Sequence, residues 1–221
     1  MKSTWMLHMF ENFELPTNKG IRKYLDIGKN WNMSDMNIGT ISITNINNEY
    51  KGAIIEPLNT NLKNNTICFL DIDRFNMSEN DNHTSGPHSN LLIIKDEEII
   101  RYEPYYASTI NDTNNMQYCI DKTVDRLIGK STKQCKCGWF GPQIITDTAD
   151  KKTEAEAYCL YWCSMVAEYV SKYDLPFENA YNQMMKEYNL RIPTSEKEAK
   201  LYSNEYLQVI RNYAHSKNFA K

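Results

Sequence analysis

The sequence predicts an α+β fold in which a central mixed or antiparallel sheet is packed by helices. The middle of the 221-residue chain holds short apolar, β-branched runs separated by polar loops, and this pattern is typical of strands. The last third repeats apolar residues at helical spacing over three long segments. Because the strand-like runs come first and the helical segments follow, the pattern favours a sheet with segregated helices.

The strand predictions follow the chain in order. Five segments have strand character: Ile38–Thr44, Tyr50–Ile55, Thr66–Ile72, Leu91–Lys95 and Ile99–Tyr102. The polar triplet Asp96-Glu97-Glu98 separates the last two and predicts a hairpin turn. The stretch Ser78–Pro87 is rich in Asn, Asp, Ser and Gly and predicts a polar loop, and Asn111–Asn115 predicts another. Cys135–Thr146 predicts a loop or a short strand.

Four helices are predicted in the second half of the chain. The first covers Cys119–Ile128, where apolar residues recur at helical spacing. Three more are predicted to begin near Glu154, after Pro176 and near Ser195. The helix from Glu154 follows the capping-box pattern of Thr153 and Glu156. Its predicted apolar face consists of Cys159, Trp162, Cys163, Val166 and Val170.

Composition limits the classes of function. A hydrophobic fraction of 41% provides a sizeable core, and the length suits one large domain or one domain with extensions. The net charge of −3 argues against non-specific nucleic-acid binding, which needs a basic face. The sequence contains no run of about 18 apolar residues, so no membrane span is predicted. Met1–His8 lacks a signal-peptide core, so the six cysteines are expected to be reduced thiols in an intracellular setting.

Four residues, His88, Glu103, Gln143 and Cys159, together supply the groups that thiol catalysis needs. A thiol nucleophile requires a base, the base requires an orienting group, and the oxyanion requires a hydrogen-bond donor. His88 opens a predicted strand and Glu103 ends the next, so the hairpin would bring an imidazole and a carboxylate side by side. Gln143 follows Gly-Pro before a helix, and Cys159 lies inside a helix.

Each of the four also has an ordinary structural interpretation. His88 and Glu103 fit a loop histidine and a solvated strand end, and a loop glutamine is uninformative alone. Cys159 and Cys163 fit small core residues on one helix face, and Cys163 is assigned to the core. If Thr153 caps the helix, Cys159 lies more than one turn inside, where the helix dipole fades. Either the helix then starts later, or His88 provides most of the thiol activation.

Short motifs surround these residues in a recognisable order. They are Thr66–Asp71, His88–Ile93, Arg101-Tyr102-Glu103-Pro104, Ile120-Asp121 with Leu127, Pro142-Gln143 and Ala157-Tyr158-Cys159-Leu160-Tyr161-Trp162. Together they resemble the viral branch, from large DNA viruses, of the Ulp1/adenain-like cysteine peptidases, over roughly residues 66–215. The resemblance implies a papain-like α+β fold, with residues 61–221 as the peptidase domain. Residues 1–60 are then expected to form an N-terminal extension of unknown role, packed on the core.

The resemblance also implies a role for each candidate residue. Cys159 attacks the scissile carbonyl as a thiolate, His88 accepts the thiol proton and protonates the leaving amine, and Glu103 orients His88. The Gln143 amide and the Cys159 backbone N–H hold the oxyanion. No cofactor is expected. The substrate is expected to be a polypeptide, either a viral precursor or a ubiquitin-like conjugate, in the host cytoplasm or the virion.

Other functions remain open at this point. Ala157 stands where the family usually has glycine, which favours a catalytically inactive protease-fold protein with a structural or binding role in a virion. Acyl transfer on a non-peptide substrate uses the same chemistry and is a third class. Cys135-Lys136-Cys137 lacks a second Cys or His pair at zinc-finger spacing, so these residues are interpreted as structural thiols and no metal site is predicted.

Overall fold

The computed structural model describes residues 24–33, 40–46, 49–56, 62–76, 88–106, 111–135, 140–149 and 158–219. Within these residues the chain forms one mixed sheet packed by helices, which confirms the predicted α+β class. No helix in this part of the chain is long and apolar enough to cross a membrane.

Seven strands form the sheet in the described residues. They are β1 (Asn32–Met33), β2 (Thr40–Ile46), β3 (Glu49–Glu56), β4 (Thr66–Asn76), β5 (His88–Lys95), β6 (Glu98–Tyr102) and β7 (Lys133–Cys135). Their order is β3-β2-β4-β5-β6-β7, and β1 pairs with the first residues of β4. The β1–β4, β2–β4 and β6–β7 pairs are parallel, and the others are antiparallel. Each of the five predicted strand segments overlaps one of the strands β2 to β6.

Three strands from the first 60 residues, β1, β2 and β3, are built into this sheet. β2 lies parallel to the second half of β4, with Thr40 opposite Asp71. β3 forms the outer edge through its antiparallel pairing with β2. Residues 40–46 and 49–56 therefore extend the sheet by backbone hydrogen bonds. The domain boundary at residue 60 stays a prediction.

The β5–β6 hairpin sets the position of the candidate site. Its turn has two residues, Asp96 and Glu97, whose φ angles of 50° and 67° suit a type I′ turn. Glu98 was predicted to belong to the turn. It pairs with Lys95 and is the first residue of β6. β5 begins at His88, as expected, and is buried almost throughout. The tight turn therefore brings the start of β5 beside the end of β6.

Five helices are present in the described residues: α1 (Asn111–Ile128), α2 (Pro142–Ala149), α3 (Tyr158–Tyr173), α4 (Phe177–Glu187) and α5 (Glu196–Ser216). The loop predicted at Asn111–Asn115 is wrong, because α1 begins there. The weak helix propensity of Asn, Asp and Thr is overridden when the rest of the helix packs on a sheet. α2 starts at Pro142, whose fixed φ suits the first helical position. The predicted loop at Ser78–Pro87 and the cap residues Thr153 and Glu156 lie outside the described residues.

Two hydrophobic cores lie on opposite faces of the sheet. On one face α1 packs through Met116, Ile120, Val124 and Leu127. On the other face lies α3, whose predicted apolar residues are all buried. Residues 158–167 are buried without exception, so α3 is surrounded on nearly all sides and is a central helix. α4 and α5 pack against it.

The start of α5 offers a test of local structure. Ser195 caps the helix, because its hydroxyl accepts a hydrogen bond from the Glu198 backbone N–H at 3.2 Å. Ser195→Ala should lower the free energy of unfolding by about 1 kcal/mol, since that N–H loses its partner. Urea denaturation measures the change. Lys197→Ala, at an exposed position of the same turn, should stay within about 0.5 kcal/mol of wild type, and equal losses in both variants would contradict the capping role.

Candidate active site

His88 and Glu103 form a buried pair at one end of the sheet. His88 is the first residue of β5, and Glu103 directly follows β6. The His88 Nε2 atom lies 2.5 Å from Glu103 Oε1. His88 is 4% exposed and Glu103 is 1% exposed, so water is almost excluded from the contact. The pairing expected from the hairpin is therefore present, and neither residue is solvated.

The Glu103 carboxylate accepts hydrogen bonds on both oxygens. Besides the contact with His88, Oε1 accepts the Tyr105 backbone N–H at 2.7 Å. Oε2 accepts the side-chain amides of Asn90 at 3.0 Å and Gln117 at 3.1 Å. Hydrogen bonds to charged groups contribute about 1.5–3 kcal/mol each, so these donors offset the cost of burying the charge. Glu103 is thus held from β5, from α1 and from its own turn.

Arg101 is a fully buried cation behind this pair. Its Nη1 donates to Asn90 Oδ1 at 2.5 Å, and its Nη2 donates to Gln117 Oε1 at 2.7 Å. Nη1 also lies 3.4 Å from Glu103 Oε2. On its other side, Nε donates to Asp121 Oδ1 at 2.8 Å. Arg101 therefore contacts both amides that hold Glu103 and pairs with two carboxylates.

The sequence interpretation missed Asn90, Arg101 and Gln117. A signal for two of them was present, because residues two positions apart in a strand point to the same face. Asn90 lies two residues after His88, and Arg101 lies two residues before Glu103. Gln117 lies in α1 and reaches the site only because that helix packs on the sheet. No local pattern in the sequence marks it.

α3 brings Cys159 toward the start of β5. The thiol of Cys163 donates to the Ser89 carbonyl oxygen at 3.4 Å, and Ser89 is the neighbour of His88. Cys159 lies one helical turn before Cys163 on the same face, and it is the second residue of α3. It is 7% exposed. The residues directly before Tyr158 lie outside the described ranges, so the distance of Cys159 from the helix N-terminus stays a prediction.

Cys163 is a core residue, as predicted. It is fully buried beneath β5. Burial is the main cause that raises the pKa of its thiol well above the usual value, and the nearby Cys159, Glu103 and Asp71 raise it further. The Cys163 thiol therefore stays protonated at neutral pH and is a poor nucleophile.

Gln143 lies in the first turn of α2. The prediction that it lies in a loop before a helix is therefore wrong. Its backbone N–H donates to the Pro104 carbonyl oxygen at 3.0 Å, one residue after Glu103. The approach is close, because a Cβ at Gly141 would lie 2.2 Å from the same oxygen. The Gln143 Oε1 atom is buried and has no hydrogen-bond partner among the described residues. Gln143 is thereby anchored beside the Glu103 turn with one end of its amide unsatisfied.

A side-chain hydrogen bond joins α2 and α3. Trp162 Nε1 donates to Thr146 Oγ1 at 3.2 Å. Trp162 lies three residues after Cys159, and Thr146 lies three residues after Gln143, so the bond is about one turn from both candidates. His88 and Glu103 are in direct contact, and contacts of neighbouring residues bring α2 and α3 to the His88 end of β5.

Other features do not belong to this site. No cluster of three or more His, Cys, Asp or Glu side chains in the described ranges is arranged to hold a metal ion. Cys135 is buried in β7, and Cys137 lies outside the described residues. A cavity of about 690 Å³ has Lys95, Glu98 and Phe177 in its wall. It lies at the hairpin-turn end of β5, the opposite end from His88.

The buried Cys163 thiol predicts a loss of stability at alkaline pH. Its pKa is raised in the folded state, so the unfolded chain releases this proton first as the pH rises past the ordinary value of 9.0. The stabilisation is complete below that pH and is lost above it. Cys163→Ala should therefore flatten the fall of unfolding free energy between about pH 8 and 10, measured by urea denaturation.

Tyr213 also contributes to the fall of the unfolding free energy at alkaline pH, and it does so equally in wild type and in Cys163→Ala. Burial raises the pKa of its phenol as well, so it lowers stability in the same direction at higher pH. This contribution is present in wild type and in Cys163→Ala alike. Identical pH slopes in the two proteins would show that the Cys163 thiol ionises equally in the folded and unfolded states.

The described residues bring an imidazole, a carboxylate, a thiol and a carboxamide to one end of the sheet. The imidazole and the carboxylate are in direct contact, and contacts of neighbouring residues position the other two. Comparisons with protein-family models, with curated proteins and with solved structures found no match to this chain.

Proposed function

We propose that this protein is a papain-like cysteine peptidase of the Ulp1/adenain type, with Cys159, His88, Glu103 and Gln143 as its site. The observation that carries the proposal is the buried 2.5 Å contact between His88 and Glu103, made one residue from where α3 packs on β5. A carboxylate at one imidazole nitrogen fixes the tautomer and raises the basicity of the other nitrogen.

The geometry gives the two nitrogens of His88 different tasks. Nε2 is held by Glu103, so proton exchange with Cys159 goes through Nδ1. Nδ1 accepts the thiol proton, and the thiolate attacks the carbonyl carbon of the scissile peptide bond. The imidazolium returns that proton to the leaving amine as the C–N bond breaks, which leaves a thioester on Cys159. Water, activated by His88, then hydrolyses the thioester and restores the thiol.

Two donors stabilise the oxyanion in this mechanism. They are the Gln143 side-chain amide and the Cys159 backbone N–H. Gln143 lies in the first turn of α2, Cys159 lies in α3, and the Trp162–Thr146 bond joins these two helices. Donors that are fixed before the reaction need no reorganisation in the transition state, which is why such sites are effective.

The proposed substrate is a polypeptide, either a viral precursor or a ubiquitin-like conjugate. The motif resemblance supports this class, and the host cytoplasm or the virion is the corresponding location. Every group in the mechanism comes from the chain itself, so the reaction as proposed uses no cofactor.

Two observations favour a second function, that of a catalytically inactive protease-fold protein with a binding or structural role in a virion. Cys159 and His88 are both buried, so a substrate carbonyl has little access to them in this conformation. In addition, His88 pairs with Ile72 of the α1-side core, whereas Cys159 belongs to the α3-side core.

The two cysteines of α3 provide the first functional test. Cys159→Ala should abolish peptide-bond cleavage and leave the fold intact, because only the sulfur is lost. Cys163→Ala should keep most of the activity and lower the free energy of unfolding by about 1 kcal/mol, as for a core truncation. Gel assays with unfolded proteins and ubiquitin-like fusions measure cleavage. Loss of turnover in Cys163→Ala with retention in Cys159→Ala would mean that the nucleophile is Cys163.

Alkylation of the wild-type protein is the control that needs no substrate. In the peptidase, iodoacetamide should modify Cys159 far faster at pH 7 than the other five cysteines. His88→Ala should remove this advantage, whereas His215→Ala, at an exposed position of α5, should preserve it. Mass spectrometry of digests identifies the modified residue. Slow modification of Cys159, with no turnover, is the result expected for the inactive protein.

The variant Gln143→Ala distinguishes a peptidase from an inactive binding protein. Gln143→Ala removes one oxyanion donor and should lower kcat by about 10²–10³-fold. Iodoacetamide alkylation of Cys159 should change little, because that reaction forms no oxyanion. Steady-state kinetics and alkylation rates on the same variant measure the two effects. Turnover within about threefold of wild type would remove Gln143 from the site, since it falls far short of a lost donor.

A further inference from the structure

We infer that Arg101 is a positioning residue whose forked guanidinium orients the two amides that hold Glu103, and that α1 takes part in the site through Gln117. This role rests on the proposed function of His88 and Glu103. It goes beyond the four proposed site residues, because Arg101 and Asn90 lie in the quoted motifs without an assigned role and Gln117 lies outside those motifs.

The direction of each hydrogen bond follows from the chemistry of arginine. A guanidinium donates and never accepts, so it can face only the carbonyl end of a side-chain amide. Nη1 faces the carbonyl oxygen of Asn90 at 2.5 Å, and Nη2 faces that of Gln117 at 2.7 Å. Each amide therefore turns its NH₂ group the other way. Both NH₂ groups donate to Glu103 Oε2, at 3.0 Å and 3.1 Å.

The direction of these hydrogen bonds also determines which ring nitrogen of His88 carries a proton. Asn90, Gln117 and the Tyr105 backbone N–H all present donors to Glu103, so a proton on its carboxyl group would meet donors at each of these contacts. The ionised, acceptor-only form of Glu103 is the one that this arrangement stabilises. His88 Nε2 then carries the proton of the 2.5 Å contact, which makes Nδ1 the basic nitrogen.

The guanidinium is held from a third side by α1. Arg101 Nε donates to Asp121 Oδ1 at 2.8 Å. Asp121 lies one turn after Gln117, so a single face of α1 supplies a carboxylate and an amide to the same guanidinium. A lysine ammonium carries the same charge, but it has no planar fork that meets Asn90, Gln117 and Asp121 at once.

Proton NMR of the His88 ring reports this geometry without a substrate. A short N–H···O contact gives a strongly downfield imidazole proton, which His88→Ala assigns by its disappearance. Gln117→Leu removes one amide and no charge. It should shift or abolish the resonance and slow Cys159 alkylation about tenfold, which is part of what a general base contributes. Arg126→Met removes an exposed arginine of the same helix and should change neither readout.

Arg101→Lys tests the role of the guanidinium more directly, because lysine keeps the positive charge but lacks the planar group that donates to several acceptors at once. The inferred role requires that Arg101→Lys also perturbs the resonance and, if Cys159 is activated in the wild type, that it slows alkylation. Full retention of both would overturn it. Circular dichroism establishes whether the variant folds, and if Arg101→Lys does not fold, Gln117→Leu decides. An unchanged resonance and an unchanged alkylation rate in Gln117→Leu would equally overturn the role.

The two readouts distinguish failure of this inference from failure of the proposed function. If the resonance responds as expected while Cys159 reacts no faster than the other cysteines, the orienting role of Arg101 stands and the peptidase function is wrong. If Cys159 reacts fast in wild type and Gln117→Leu changes nothing, the peptidase function stands and the orienting role is wrong.

Discussion

The buried carboxylate of Glu103 is the constraint on which the site depends. A carboxylate with 1% exposure is costly unless its charge is paired and its oxygens accept hydrogen bonds. Arg101 supplies the charge, and β5, α1 and the turn after β6 supply the donors. Breaking a buried pair by removing one partner typically costs about 3–5 kcal/mol. Two strands and one helix are therefore tied to a single carboxyl group.

This constraint makes the start of β5 the meeting point of the fold. The hairpin places Glu103 beside His88, and α1 covers the pair from one face of the sheet. α3 packs on the other face, with Cys163 against the Ser89 carbonyl. α2 joins them because the Gln143 backbone is bonded to Pro104. The imidazole and the carboxylate are in contact there, and the contacts of Cys163 and of the Gln143 backbone bring α3 and α2 to the same end of the sheet.

Local interactions explain which elements were predictable. The β5–β6 hairpin and the Ser195 cap depend on residues a few positions apart, and the apolar face of α3 depends on a short repeat. The errors at Asn111–Asn115 and Gln143 have the opposite cause. Both segments have weak or ambiguous local preferences, so the decision fell to packing on the sheet and to the contact with Pro104.

The sequence by itself predicted the α+β class and placed His88 and Glu103 at the open end of one hairpin, because apolar runs and turn residues are local signals. The direct contact of these two residues and their burial were decided by the tertiary structure. Only the tertiary structure decided that Arg101, Asn90 and Gln117 surround that pair. Alternation along a strand tells which face a side chain takes, but not which helix covers that face. The orientation of two amides by one guanidinium is a property of three elements in contact, and no single segment of the chain encodes it.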